Sequence, residues 1–132
     1  MKAYELPESG GTVQCLADDI YKWAEAKGFW KDEVEIVSVL SIQPELLVKL
    51  FHMKKCQKLM LIISEIAELM EGLRLPTEEP LNGIFTNEEE EAADIMIRLL
   101  DYCGRYKLRI VEALVAKMAK NENRPYMHGK GF

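Results

Sequence analysis

Two short acidic clusters carry the residue types best suited to chemistry. Glu65 and Glu68 stand three apart in Ser64-Glu65-Ile66-Ala67-Glu68, and Glu91 and Asp94 stand three apart in Glu91-Ala92-Ala93-Asp94. On an α-helix that spacing puts both members of a pair on one face, with Cβ atoms roughly 5–6 Å apart. Two such helices packed together would bring four carboxylates into one pocket. Bare anions cannot share a pocket, because repulsion drives some of them to take up protons. A hard divalent cation resolves the conflict, and an all-oxygen ligand set favours Mg²⁺, with Mn²⁺ possible. The Glu-x-x-His pairs of di-iron bundles are missing, since neither His52 nor His128 lies three residues after an acid.

Ions of this kind commonly bridge phosphates, and phosphates need cations and donors around them. Lys117, Asn121 and Arg124 are available, together with Lys58 and Arg98. The chain has no GxxxxGK[ST] stretch, which excludes a P-loop enzyme. Metal-assisted attack of water on a phosphate is the chemistry that remains. Phe29 and Trp30, adjacent aromatics in a loop, suit either a local core plug or a base-stacking surface, and Trp30 is the stacking candidate carried forward.

The elements that must position these groups read as helices. A first helix starts near Thr12, its N-cap, and carries Val13, Leu16, Ile20, Trp23 and Ala24 at helical spacing, with Gly28 placed to end it. Residues 31–43 alternate loosely; a lone strand would lack a partner there, so helix or irregular structure is favoured. A long helix from Pro44 to about Leu73 carries Leu59, Ile62, Ile63, Ile66, Leu69, Met70 and Leu73 on one broad face, with Glu65 and Glu68 at its edge. A loop over 75–87 ends at Asn87, the expected cap of the next helix. There Ala92, Ile95, Met96, Leu99 and Cys103 form the apolar face, and Glu91, Asp94, Arg98 and Asp101 line one edge. Gly104 is expected to break or bend that helix, and a last helix is expected from Arg105 to Lys120.

The 132 residues fit one domain, residues 1–132, with a polar arm over 1–11 and a polar tail over 121–132. So small a chain buries a limited core, and a second copy would help complete it. A net charge of −5 argues against a general nucleic-acid binder. Cys15, Cys56 and Cys103 are odd in number and form no CxxC pair, so neither disulfides nor a zinc site is expected, and Cys56 and Cys103 read as buried thiols. No apolar run reaches membrane-spanning or signal-peptide length, so a cytoplasmic setting is the expectation.

Taken together, Glu65-x-x-Glu68 and Glu91-x-x-Asp94 resemble the MazG-like branch of the all-α nucleoside triphosphate pyrophosphohydrolases. Ala24-Glu25-Ala26-Lys27-Gly28-Phe29-Trp30 is similar to the segment that ends the family's first helix, and Leu59–Arg74 is similar to its metal-binding helix. Lys117, Asn121, Arg124, Pro125 and His128-Gly129-Lys130 resemble its C-terminal phosphate-binding segment, so that the resemblance covers most of residues 16–130. It implies an all-α bundle of four to five helices completed by homo-oligomerisation, as a homodimer or homotetramer. It implies that Glu65, Glu68, Glu91 and Asp94 hold Mg²⁺, with Glu65 and Glu68 catalytic, and that Lys117, Asn121 and Arg124 contact phosphates. The implied reaction is hydrolysis of a (deoxy)nucleoside triphosphate to the monophosphate and pyrophosphate, serving nucleotide-pool cleaning. One position departs from the family: Ser64 stands where members commonly carry a further acid. The alternative from another class is a non-catalytic nucleotide-sensing or helical oligomerisation module that uses the same acidic pocket.

Overall fold

The computed structural model describes residues 13–40, 44–74 and 83–124. The described elements are all α-helices: α1 Val13–Ala26, α2 Lys31–Leu40, α3 Pro44–Arg74, α4 Asn87–Arg105 and α5 Ile110–Glu122, with no strand among the described residues. Thr12, the arm, the loop over 75–82 and the tail beyond Arg124 lie outside the described residues. The stretch after Trp30 is a helix.

α4 is the central element and packs extensively on both α1 and α3, while α2 leans on α3 and α5 on α1. Its start is a capping box. The Thr86 hydroxyl accepts from the Glu89 N–H at 3.2 Å, and the Glu89 carboxylate accepts from the Thr86 N–H at 2.8 Å. Thr86, not Asn87, is therefore the cap, and Asn87 is the first helical residue.

Close approach of α1 and α4 depends on small residues. Ala17, Leu100 and Cys103 are buried together, flanked by Leu16, Ile20 and Ile110. Gly104 does not break α4. It is buried where α4 crosses α1, and a Cβ there would fall on the Ala17 carbonyl and 2.7 Å from the Tyr21 Cβ. Backbone cannot yield as a flexible side chain can, so Gly104→Ala should cost about 1–3 kcal/mol, read as a lower urea midpoint with an unchanged slope.

α1 ends in a Schellman turn: Phe29 N–H donates to the Ala24 carbonyl at 3.1 Å and Gly28 N–H to the Glu25 carbonyl at 2.9 Å, with Gly28 at φ +84°. α4 ends the same way, with Leu108 N–H to the Cys103 carbonyl at 3.0 Å and Lys107 N–H to the Gly104 carbonyl at 3.3 Å. Here Lys107, at φ +52°, holds the left-handed position usually given to glycine. That turn moves the start of the last helix from the expected Arg105 to Ile110.

The single chain leaves much apolar surface uncovered. Leu59, Ile63, Ile66, Met70 and Leu73 of α3 are all exposed, as are Leu114, Val115 and Met118 of α5. Cys56 shares this fate and is exposed rather than buried, whereas Cys103 is buried as expected. No described helix is long and apolar enough to cross a membrane.

Candidate functional site

α3 and α4 run side by side with their acidic edges facing. Glu65, Glu91 and Asp94 each offer a carboxylate oxygen, and these atoms lie within 4.8 Å of one another. Glu65 is only 5% exposed and is ion-paired with the Arg98 guanidinium. Glu68 is exposed and outside that tight group, yet close enough to act electrostatically on Glu91.

The three-acid group is unbalanced as it stands. One Glu91 oxygen, Oε2, is buried without a hydrogen-bond partner. Burial, then the charges of Glu68, Asp94 and Glu65, push the Glu91 carboxyl above the usual range for glutamate. Burial and the Glu65 charge likewise raise Asp94, with Arg98 opposing. A buried carboxylate oxygen without a donor costs free energy. A divalent cation would satisfy that oxygen and neutralise the mutual repulsion, so the residues fit such an ion.

Beside the acids lies a cavity of about 180 Å³, bounded by α1, the α1–α2 turn, α3 and α4. Trp23 and Phe29 line one side, and Lys58, Glu65, Arg98 and Asp101 bring charge to it. Its volume is below the roughly 300 Å³ of a drug-sized pocket, so it suits one ring or a small polar group.

The stacking expectation for Trp30 is overturned. Trp30 is 2% exposed, its indole N–H donates to Asp101 at 2.8 Å, and the rings of Tyr21 and Tyr106 meet it at steep angles. The Lys58 ammonium sits 4.0 Å from its centroid. No face is left for a base. The Schellman turn sends Trp30 inward and leaves Phe29 outward, 53% exposed at the cavity mouth. Adjacency in sequence gave no means of telling which of the two turns inward.

Lys58 lines the cavity but also ties the turn down, donating to the Phe29 carbonyl at 2.7 Å. Burial lowers its pKa, countered by the charges of Asp101, Asp32 and Glu33. Lys117, Asn121 and Arg124 are exposed at the α5 end and do not line the cavity of their own chain. Asp101 was legible as a member of the α4 stripe but not as a site residue; its place seven residues beyond Asp94, two helical turns on, was the available signal. Ser64 is exposed and donates its hydroxyl to the Leu61 carbonyl at 2.7 Å, so it adds no charge to the cluster.

No family model, curated protein or solved structure matches the chain.

Proposed function

We propose that this protein is a Mg²⁺-dependent nucleoside triphosphate pyrophosphohydrolase of the MazG-like kind. The observation that carries the reading is the convergence of Glu65, Glu91 and Asp94, with a Glu91 oxygen buried and unpartnered. Glu65, Glu91 and Asp94, joined by Glu68, would hold the ion. When bound, it would neutralise triphosphate charge and polarise the phosphorus under attack. The adjoining cavity receives the uncharged part of the substrate, with Phe29 and Trp23 offering ring faces. Ser64 cannot act as a base, so proton removal from the attacking water falls to Glu68, an exposed carboxylate that lies outside the tight three-acid group.

The functional unit is a homo-oligomer on this reading. The exposed apolar residues of α3 and α5 support it, because Leu59, Ile63, Ile66, Met70 and Leu73 recur at helical spacing as a stripe along α3 and Leu114, Val115 and Met118 add a second on α5. A second copy packed on these faces would also give Lys117, Asn121 and Arg124 a site to serve. A cytoplasmic setting and pool cleaning belong to the same proposal.

A panel of canonical and modified nucleoside and deoxynucleoside triphosphates, assayed for pyrophosphate with and without Mg²⁺, tests the activity. Metal-dependent release from a few of them is expected. Silence across the panel, from a folded oligomer, would sink the enzymatic reading. It would favour a nucleotide-sensing module instead, a reading in keeping with Ser64 standing where the family it resembles commonly has an acid.

A further inference from the structure

Arg98 is unusually placed. It stands one turn beyond Asp94 on α4, lines the cavity, and sends its Nε–H to Oε1 of Glu65. Glu65 is buried and belongs to the three-acid group, whereas the Arg98 side chain is 37% exposed. A buried carboxylate needs a positive partner, and Arg98 supplies one from the rim. A divalent ion held by the same acids would supply the same compensation. Guanidinium and ion repel one another when both are held by one carboxylate, so each weakens the other's hold on Glu65.

We propose that Arg98 is a built-in competitor for the cation: it holds Glu65 in the metal-free protein and must release it when a divalent ion binds. Released, the guanidinium stays at the cavity wall, where it becomes a donor for the anionic groups that arrive with the ion. Metal and anionic ligand would then bind cooperatively. The chain would bear the cost of parting the ion pair once, and the anion would recover it. This rests on the metal-site reading above.

Mn²⁺ titration followed by electron paramagnetic resonance tests it on the wild-type chain, Arg98→Gln, Glu65→Gln and the double variant. Arg98→Gln should bind Mn²⁺ about tenfold more tightly than wild type, the effect of removing one charged hydrogen bond from the competing state. The same change made in the Glu65→Gln background should matter about twofold or less, because the competition runs through the Glu65 carboxylate. Equal tightening in both backgrounds means a charge acting through space and overturns the competitor. So does wild-type binding that Arg98→Gln leaves unchanged or weakens, a result that leaves the metal site itself standing. If neither chain takes up Mn²⁺, both readings fall. Arg98→Gln uncovers the buried Glu65 charge, so circular dichroism is recorded alongside. A variant unfolded in chelator should refold in millimolar Mn²⁺, and one that stays unfolded also overturns the proposal.

Discussion

Glu91→Gln should make the protein more stable in chelator and, on the proposed pyrophosphohydrolase reading, abolish its activity. Glu91 carries a buried oxygen without a hydrogen-bond partner and feels the charges of Glu68, Asp94, Glu65 and Glu90. The amide removes the charge, keeps the shape and brings donors to an acceptor-rich site. Its melting temperature in chelator should rise by a few degrees at neutral pH. Pyrophosphate release should fall by at least about 100-fold, because even residues one shell removed from a metal commonly cost 10–100-fold. The stability gain depends on pH in a definite sense. Glu91 and Asp94 both have raised pKa values in the folded chain, so it binds more protons than the unfolded chain at mildly acidic pH. Their contribution to metal-free stability is therefore greatest below the ordinary carboxylate range and is lost as pH rises through the raised values. The gap between Glu91→Gln and wild type should widen from mildly acidic to neutral pH and shrink when Mg²⁺ is added. A variant less stable than wild type in chelator at neutral pH would show that Glu91 is a satisfied structural group and remove the main support for a metal.

The acidic stripes were readable because a helix repeats. Glu91, Asp94, Arg98 and Asp101 are spaced three, four and three apart, and no tertiary information is needed to place them on one edge. The all-helical class followed from the same periodicity. What failed in the reading depended on a neighbour or on a single backbone angle. Whether Phe29 or Trp30 faces inward was decided by the turn at Gly28, and Lys107 in a left-handed conformation moved a helix boundary without the glycine that would mark it. Gly104 looks like a breaker in one dimension and is a contact point in three, since only Ala17 and Tyr21 across the interface explain it. Cys56 was placed inside by pattern, yet α3 has more apolar surface than its own chain covers. The pairing of Glu65 with Arg98 joins residues on two helices and has no local signature.

Arg105→Met should cost about 2–4 kcal/mol of folding free energy, and most of that loss should return when Glu33 is changed to Met as well. Glu33 is 4% exposed, and the Arg105 Nε and Nη2 reach its Oε2 at 2.9 and 2.7 Å. The Tyr106 hydroxyl donates to its other oxygen at 3.3 Å, and Arg105 Nη1 donates to the Tyr21 hydroxyl at 2.9 Å. One network thus ties α1, α2 and α4 around the Trp30 ring, whose indole N–H holds Asp101 at the cavity. Removing Arg105 strands a buried carboxylate, which in fully buried pairs costs about 3–5 kcal/mol; the partial exposure of Arg105 lowers the expected figure. Removing both charges leaves nothing stranded, and an apolar pair of similar size is often neutral or better. Urea unfolding of the two single variants and the double one closes the cycle. Single losses below about 1 kcal/mol would mean the pair contributes nothing beyond a surface bridge. The double variant separates two roles. A chain that regains stability yet loses Mg²⁺-dependent activity would show that the charges serve to fix Trp30 and Asp101 beside the acids rather than to hold the fold.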